Sequence, residues 1–421
     1  MARLKGFQKL VPVDEALKRF LSVIDFKPKK VVVPTHLALN RVLAQSIKAD
    51  ADLPRTDRSA VDGYAVDAKG TLETNQSRPS VFELTSRGVL DKGQARQVWT
   101  GNPLPRGSNA VVMLENANIV GNRVEVWSPT TPWENVSRRG EDIREGETAI
   151  EAGARFRPQH LGLAVALGVC ELRVFEKPRI AILATGNELA ELGSKLRESQ
   201  IFDSNRLVLS ALCSELGAET VDLGITKDEV GEIKGKLRSG LEKADAVITS
   251  GGTSVGAPDL VPEAINGLGK PGVIIHGVAM RPGMPTAMAI VKMKPIIVLP
   301  GNPVAAMLGF EVFGRPLVSK MLGLNQVESR PVLKAKMTRS VATTLGRKNL
   351  VRVRVFQKGD EFLAEPISAR GSGLMSTMTK SNGYVVALEN REGLEQGEVV
   401  SVNMFADLEV MGQGVQKATF T

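Results

Sequence analysis

The sequence is poor in cysteine, histidine and aromatic residues. Its 421 residues include two cysteines, three histidines and 4% aromatic residues. Cys170 and Cys213 are far apart and form no CxxC pair, so neither a disulfide framework nor a cysteine-based zinc site is supported. The histidines are too scattered to suggest a metal site. The low aromatic content argues against a stacking platform for single-stranded nucleic acid.

Long apolar runs and blocks of like charge are also missing. No apolar run reaches membrane-spanning length, and the first residues do not resemble a secretory signal, so we expect a cytoplasmic protein without membrane contact. The net charge of +8 comes from 54 Lys and Arg against 46 Asp and Glu and favours acidic ligands. Because the basic residues are interspersed and form no stripe, we expect no nucleic-acid partner.

The chain is too long for one hydrophobic core, and its pattern predicts four domains. Strand and helix alternate over residues 178–325, which with a helix at 12–24 predicts a doubly wound, mainly parallel α/β domain made of residues 1–25 and 178–325. Residues 49–136 contain short β-type runs and predict an inserted, mostly β domain. A small linking or dimerisation domain (26–48 and 137–177) and a C-terminal, β-barrel-like domain (326–421) complete the prediction.

The stretch ADAVITSGGTSVGAPDLVPE at 244–263 is the most informative part of the chain. A predicted strand at 246–249 breaks into a turn in which Gly251 and Gly252 let the backbone bring its N–H groups to a point. Ser250, Thr253 and Ser254 add hydroxyl donors for a phosphate or another oxyanion. Asp259 lies at the same place, where its charge would repel an anion unless a divalent cation lay between them. The stretch therefore predicts a combined anion and metal site.

Two further predicted strands end in polar turns with glycine, at 185–188 (TGNE) and 300–303 (PGNP). Because ligands of such folds bind at the carboxyl ends of the strands, we expect the three turns to form one pocket. Glu188 and Asp259 are the predicted Mg²⁺ ligands, since this cation takes few carboxylates together with substrate phosphates. Taken singly, each could instead stabilise a turn or cap a helix.

Basic residues in other loops are weaker candidates. Arg281, in the stiff turn 281–285, could meet an oxyanion or could be a surface arginine. The turns at 346–348 and 370–373 could complete an anion site across a subunit boundary or be solvated loops. Arg352 and Arg354 alternate with valines, which predicts the solvent-facing side of a strand.

Eight separated segments together resemble the MoeA-type molybdopterin molybdenumtransferases, the family that includes the E domain of gephyrin. The segments are DRSAVDGYA at 57–65, TGNP at 100–103, RGEDI at 139–143, TGNEL at 185–189, DSNR at 203–206, SGGTSVG at 250–256, RPGMP at 281–285 and LPGNPV at 299–304. The α/β domain alone also resembles the MogA and MoaB adenylyltransferases. The segment at 57–65, the inserted domain and the β tail favour the transferase.

The resemblance implies a Mg²⁺-dependent insertion of molybdate, or tungstate, into adenylylated molybdopterin with release of AMP. By similarity, the catalytic residues would be Asp57, Thr100, Asp142, Glu188, Asp228 and Asp259. The substrate-binding residues would be Thr185, Asp203, Ser250, Gly251, Gly252, Ser254, Arg281, Pro300, Asn302, Pro303, Arg347 and Ser372. The family works as a homodimer, in which Asp57, Thr100 and Asp142 would reach the site from the second subunit. Contact with the upstream adenylyltransferase is a further expectation.

One position departs from the family pattern. The family usually has a lysine where this chain has Met284, and a thioether cannot pair with an oxyanion. Lys292, Lys294 or the C-terminal domain would then have to compensate. Met284 is the only support for one open alternative, a non-catalytic pterin carrier or scaffold. A second alternative, independent of Met284, is an adenylyltransferase that acts one step earlier and uses ATP.

Overall fold

The computed structural model describes residues 10–75, 77–253, 260–367 and 373–410. The chain forms two compact units, a large unit made of Met1–Val31 with Phe175–Thr421 and a small unit made of Val32–Val174. Each unit contains its own sheets and its own buried hydrophobic clusters.

A six-stranded sheet forms the centre of the large unit. In spatial order its strands are Glu219–Thr226, Arg179–Thr185, Ala246–Ser250, Lys294–Leu299, Ala287–Val291 and Pro271–His276. The first four strands are parallel, and the last two are each antiparallel to the preceding neighbour. Every residue of Ala246–Ser250 and Ala287–Val291 is buried. Such uniformly buried strands are typical of a sheet that is covered on both faces.

Helices supply that cover. Ala181 and Leu183 of the sheet pack in one buried cluster with Ile233 and Leu237 of the helix Val230–Lys243. Full burial of an Ile or Leu side chain contributes about 1.5–3 kcal/mol each, which holds this helix on the sheet. The other helices of the large unit are Val13–Ser22, Asn205–Glu215, Leu260–Asn266, Pro303–Gly309, Arg315–Met321 and Ser376–Thr379, with a π-helical turn at Phe310–Gly314.

The central parallel strands end at the same level. Ala184 lies opposite Ser250, and Ser250 lies opposite Leu299 on the next strand. The outer strand ends beside them, since Thr226 lies opposite Thr185. The loops that follow these strands therefore begin side by side at one edge of the sheet.

A closed five-stranded barrel follows the α/β part of the large unit. Its strands are, in order around the barrel, Lys348–Lys358, Glu361–Pro366, Val332–Met337, Val399–Met404 and Gly383–Ala387, and the last pairs with the first. Val351, Val353 and Val355 belong to its buried interior. Two short strands, Met280–Arg281 and Glu409–Val410, pair with Lys348–Lys358, and Val341–Ala342 pairs with Gly393–Leu394.

The small unit is mainly β. Its six-stranded sheet has the order Ala110–Met113, Gly63–Val66, Gln94–Val98, Ser80–Leu84, Arg123–Val126 and Ala117–Val120. The small unit also contains the helix Pro158–Ala166 and two short strand pairs. In these pairs Arg58–Ser59 lies beside Val136–Ser137, and Ile47–Lys48 lies beside Thr148–Ile150. The strands Lys30–Pro34 and Glu171–Phe175 contain the points where the chain passes between the units.

The fold confirms the predicted class, an α/β domain with a mainly parallel sheet, together with β domains and a C-terminal barrel. Several elements were not predicted from the sequence, among them the strands Glu219–Thr226 and Ala287–Val291 of the central sheet and the helix Val230–Lys243. That helix contains three glycines, which are poor helix formers, but its buried apolar face outweighs their cost. The boundaries of the four domains stay a prediction. Among the described helices, none has the length and apolar character needed to cross a membrane.

Candidate functional site

Three turns at the carboxyl ends of neighbouring strands line one cavity of about 760 Å³. We call them the first turn (residues 185–188), the second turn (250–253) and the third turn (300–303), and the cavity the turn cavity. Its lining residues are Thr185, Gly186, Glu188, Leu189, Ile201, Phe202, Asp203, Ser204, Asn205, Asp228, Gly251, Gly252, Thr253, Leu260, Pro285, Pro300, Gly301, Asn302, Pro303 and Gly373. The structure thus brings the three turns together, as their positions after parallel strands predicted.

The second turn requires its two glycines. Gly251 and Gly252 have φ angles of 95° and 69°, a region that side chains with a Cβ rarely adopt. A Cβ on Gly251 would lie 2.3 Å from the Thr185 carbonyl oxygen, and one on Gly252 would lie 2.3 Å from Cγ2 of Val261. The backbone of the second turn therefore packs against the first turn more closely than any other residue would allow.

Several polar atoms around the turn cavity are buried without a protein partner. Within the described residues, these include the hydroxyl oxygens of Thr185 and Thr253 and Oδ1 of Asp228. Because buried polar atoms are normally hydrogen-bonded, a group of such atoms in one cavity marks a place where a polar ligand would complete the bonding. The second carboxylate oxygen of Asp228 accepts from the backbone N–H of Asn187 at 3.3 Å, which ties Asp228 to the first turn.

Ser250 occupies a different position from the one we expected. It is only 2% exposed and does not line the turn cavity. Its hydroxyl accepts a 2.7 Å hydrogen bond from Nδ2 of Asn205, and the same amide donates to the carbonyl oxygen of Gly301, also at 2.7 Å. Ser250 and Asn205 thus join the second and third turns. Asn205 belongs to the DSNR segment, but no role had been predicted for it.

Asp203 lies in the cavity wall, but its charge is already engaged. Its Oδ1 accepts from the backbone N–H of Arg206 at 3.2 Å and its Oδ2 from Nε of Arg206 at 2.9 Å. Arg206 also pairs with Asp222 and Glu191. Burial would lower the pKa of Arg206, but the hydrogen bonds to Asp222 and Asp203 raise it above its ordinary value. Arg206 therefore remains charged and neutralises Asp203 next to an anion site.

A second cavity of about 390 Å³ adjoins the turn cavity, and we call it the arginine cavity. Pro285, Pro300 and Asn302 line both. Among the described residues, the arginine cavity is lined by the arginines Arg281, Arg347 and Arg352 and by no acidic side chain. The other lining residues are Met280, Pro282, Gly283, Met284, Ala305, Ala342, Thr343, Asn349, Leu350 and Val351. This charge distribution suits an oxyanion.

The prediction for Arg352 was wrong. Arg352 is only 4% exposed, whereas Arg354, two residues further along the strand, is half-buried and does not line the arginine cavity. Burial lowers the pKa of the Arg352 guanidinium, since desolvation disfavours its charged form. An anion in the cavity would favour that charged form.

Three groups were expected to compensate for Met284, namely Lys292, Lys294 or the C-terminal domain, and neither lysine lines the arginine cavity. Both lysines lie at the hairpin that begins the strand Lys294–Leu299, at the end opposite Pro300. The ammonium group of Lys294 donates to the carbonyl oxygen of Ala244 at 2.9 Å. Met284 instead faces the same cavity as Arg347 and Arg352, so the C-terminal barrel supplies the neighbouring positive charge.

The remaining described candidates belong to the small unit, where three motifs converge. The backbone N–H of Leu104 donates to the carbonyl oxygen of Asp57 at 2.9 Å, and that of Arg139 donates to Oδ1 of Asp57 at 2.7 Å. Thr100 donates to Oδ1 of Asp62 from its backbone N–H (2.7 Å) and its hydroxyl (2.8 Å). These bonds lower the pKa of Asp62, a residue to which we had assigned no role.

Asp142 lies in the same region, where its backbone N–H donates to the carbonyl oxygen of Leu53 at 3.1 Å. The candidates Ser254, Asp259 and Ser372 lie outside the described residues. Within the residues that are described, no group of three or more His, Cys, Asp or Glu side chains could by itself hold a metal ion.

Three family models match most of the chain. They describe the MoeA N-terminal region (domain I and II) over residues 11–168, a probable molybdopterin binding domain over residues 181–320, and the MoeA C-terminal region (domain IV) over residues 334–405. These matches span both units and the barrel.

Relatives and solved structures agree with the family models. A molybdopterin molybdenumtransferase of Haemophilus influenzae is 30% identical over 410 residues, which cover 95% of this chain and 100% of that protein. A molybdopterin molybdenumtransferase 2 of Mycobacterium tuberculosis is 36% identical over 336 residues, which cover 77% of this chain and 83% of that protein. The crystal structure of the molybdopterin biosynthesis MoeA protein of Pyrococcus horikoshii OT3 superposes with a TM-score of 0.81 at 29% identity and covers 94% of this chain and 100% of that one.

Proposed function

The chain belongs to the MoeA-type molybdopterin molybdenumtransferases of molybdenum cofactor biosynthesis, and we propose that it inserts molybdate into adenylylated molybdopterin with release of AMP, in a Mg²⁺-dependent reaction. The observation that carries this proposal is the pair of adjoining cavities. Within the part of the chain that the structure describes, one is lined by arginines without a carboxylate and the other by glycine turns with unpartnered polar atoms. The two cavities share Pro285, Pro300 and Asn302. Two anionic reactants can therefore lie next to each other.

Molybdate is the reactant for the arginine cavity. Guanidinium groups present several N–H donors in a fixed plane and bind oxyanions through charge-assisted hydrogen bonds. Arg281, Arg347 and Arg352 line the same space, and a buried guanidinium such as that of Arg352 gains more from an anion than an exposed one. Donors of this kind also stabilise negative charge that develops during the transfer.

The phosphate-bearing substrate suits the turn cavity. The backbone at Gly251 and Gly252 turns through positive φ, a geometry in which successive N–H groups can converge on an anion. The hydroxyls of Thr185 and Thr253 are buried there without a partner among the residues that the structure describes, and they would donate to phosphate oxygens. In this proposal Asn205 and Ser250 act indirectly, because they hold the second and third turns at a fixed separation.

The oxygen ligands around the turn cavity fit Mg²⁺. Glu188 and Asp228 both line it, and Oδ1 of Asp228 has no hydrogen-bond partner in the described part of the chain. Two carboxylates with substrate phosphate and water match the preference of this cation, which seldom uses an all-protein cage. Bound Mg²⁺ would offset the negative charge of the phosphates. Asp259, the other predicted ligand, lies outside the described residues.

The small unit is proposed to act on the site of a second copy of the chain. Asp57, Thr100 and Asp142 lie on motifs that converge within that unit, and we propose that in a homodimer they complete the site of the partner subunit. Contact with an upstream adenylyltransferase that delivers the adenylylated substrate belongs to the same proposal, as do a cytoplasmic location and the use of tungstate in place of molybdate.

A carrier or scaffold role has less support than it had from the sequence. Its only basis was Met284, and the cavity that Met284 lines also contains Arg281, Arg347 and Arg352. The thioether therefore leaves the cavity cationic. An adenylyltransferase role would require ATP binding, and the barrel residues that line the arginine cavity favour the transferase instead.

Two incubations separate the three functions. In the first, the protein is incubated with adenylylated molybdopterin, Mg²⁺ and molybdate, and AMP is measured with time. Release of AMP that depends on molybdate supports the transferase, whereas substrate binding without AMP release would favour the carrier. In the second, the protein is incubated with free molybdopterin, Mg²⁺ and ATP, and consumption of ATP would favour the adenylyltransferase.

A further inference from the structure

One wall of the turn cavity is apolar and exposed, which anion binding does not explain. Ile201 and Phe202 line the cavity with exposed fractions of 57% and 41%, and Leu189 lies beside them, partly buried. We call these three residues the apolar shelf. Anions and cations bind to polar groups, so a large exposed apolar surface in this cavity needs another ligand group to cover it.

The apolar shelf is fixed in place by the backbone. Leu189–Ala190 and Ile201–Phe202 form a parallel two-stranded pair in which Leu189 lies opposite Ile201. The N–H of Ile201 donates to the carbonyl oxygen of Glu188 at 2.8 Å, which connects the shelf to the first turn. At its other end, the N–H of Asp203 donates to the carbonyl oxygen of Ala190 at 3.0 Å.

Arg206 strengthens this attachment. It binds the Asp203 carboxylate at 2.9 Å and also pairs with Glu191, the residue that follows Ala190. Arg206 thus links the two strands of the shelf at their common carboxyl end, since Glu191 and Asp203 each follow one of them. A preformed apolar surface of this kind loses little conformational freedom when a ligand covers it.

We propose that the apolar shelf binds the planar heterocyclic ring of the phosphate-bearing substrate, with Phe202 as the main contact. This inference rests on the proposed function and adds to it the position of the ring. The phosphate would lie on the second and third turns and the ring on the shelf, since both line the same cavity. The ring has two sources in the substrate, the pterin and the adenine of the adenylyl group, and the shelf chemistry suits either.

The test measures binding by calorimetry, with the full-length protein, Mg²⁺ and no molybdate. The probes are neopterin monophosphate, AMP and ribose 5-phosphate, which carries a phosphate but no ring. We expect Phe202→Ala to raise the Kd of one ring-bearing probe roughly tenfold and to leave that of ribose 5-phosphate unchanged. The probe that weakens identifies the ring. Phe202→Tyr, which keeps an aromatic face, should bind that probe nearly as tightly as the wild type.

The chain offers a matched control in Leu192. Leu192 belongs to the segment that connects the two strands of the shelf, is 71% exposed and does not line the cavity. Leu192→Ala should therefore bind all three probes like the wild type. The proposal is overturned if Phe202→Ala binds both ring-bearing probes as tightly as the wild type, or if it weakens ribose 5-phosphate equally.

A changed oligomeric state of Phe202→Ala with unchanged Kd values would also overturn it, because the shelf would then be a subunit contact. Failure of the proposed function has a different signature. In that case the wild type would release no AMP on addition of molybdate, while the binding results without molybdate would stand on their own.

Discussion

Asn205 donates a 2.7 Å hydrogen bond from Nδ2 to the hydroxyl of Ser250, and both side chains are buried. The same amide reaches the carbonyl oxygen of Gly301. One side chain at the start of a helix thereby fixes the separation of two loops that follow different strands. The turns that line the cavity depend on this bond for their relative position.

Removal of this amide should destabilise the protein and loosen the turn cavity. For Asn205→Ala we expect the free energy of unfolding to fall by about 1–3 kcal/mol, because a buried acceptor loses its donor. Denaturant unfolding measures the change. Asn390→Ala, at an exposed loop position, should stay within about 0.5 kcal/mol of the wild type. Equal losses in both variants would show that the bond has no special importance.

Substitution by alanine should change the stability of the protein in opposite directions at two glycines, Gly252 and Gly235. Gly252→Ala places a Cβ 2.3 Å from Cγ2 of Val261 at a φ of 69°, so we expect a loss of about 1–3 kcal/mol and weaker phosphate binding. Gly235 lies in the helix Val230–Lys243, where a Cβ would meet nothing within 4 Å. Gly235→Ala should therefore stabilise the protein by about 0.5–1 kcal/mol. Thermal and urea unfolding of the two variants check both signs, and stabilisation by Gly252→Ala would refute the packing argument.

The stability of the large unit should depend on pH through Glu311. The side chain of Glu311 is 7% exposed and pairs with Arg315 and Arg330, each at 2.8 Å. Burial alone would raise the pKa of Glu311, but hydrogen bonds from the two arginines lower it below its ordinary value of 4.5. The unfolded chain then binds its proton first as the pH falls. The stabilisation by ionised Glu311 is therefore complete at neutral pH and is lost in acid, below pH 4.5.

Glu311→Gln tests this dependence. We expect it to cost about 3 kcal/mol at pH 7, because among the described residues it leaves the half-exposed Glu215 as the remaining acidic partner of Arg315 and Arg330, and to cost less in acid. Unfolding measured from pH 3 to pH 7 gives both values. Glu361→Gln is the control, since Glu361 pairs at 3.5 Å with Lys336 and is 64% exposed. A penalty for Glu311→Gln that does not change with pH would contradict the assignment.

Met284 should limit the affinity for molybdate without abolishing it. It lines the arginine cavity, so Met284→Lys would add a fourth positive charge next to the anion. We expect the KM for molybdate to fall by about tenfold, the value of one charge-assisted hydrogen bond. Initial rates at varied molybdate measure it, with Met293→Lys, in the exposed hairpin far from the cavity, as the control. No gain in affinity would mean that this position does not contact the anion.

Part of this site could be predicted from the sequence because the signals were local. A buried apolar run followed by glycine and a hydroxyl residue marks the end of a strand, and parallel strands bring such ends together. Arg352 could not be placed in this way. The alternation of valine and arginine predicts two faces of the strand, but it does not show what lies against each face. In the structure Arg352 is buried and lines a cavity together with the turn 281–285, while Arg354 is half-buried.

Ser250 was predicted to bind the ligand, but it does not line the turn cavity. A serine at a strand end has the character of a ligand donor, but its hydroxyl is used by Asn205, which lies 45 residues earlier in the chain. Partners at such separations are not visible in a local pattern. For the same reason the sequence did not reveal that Thr100 bonds to Asp62, which lies 38 residues earlier in the small unit.

The most direct test of oxyanion binding in the arginine cavity is to measure how AMP release depends on molybdate in Arg352→Ala. Arg354→Ala is the matched control. Both arginines lie on one strand, but Arg352 lines the arginine cavity and Arg354 does not. We expect Arg352→Ala to lower kcat/KM for molybdate by about 10²- to 10³-fold and Arg354→Ala to leave it within about twofold of the wild type. A wild-type value in Arg352→Ala would contradict oxyanion binding in this cavity.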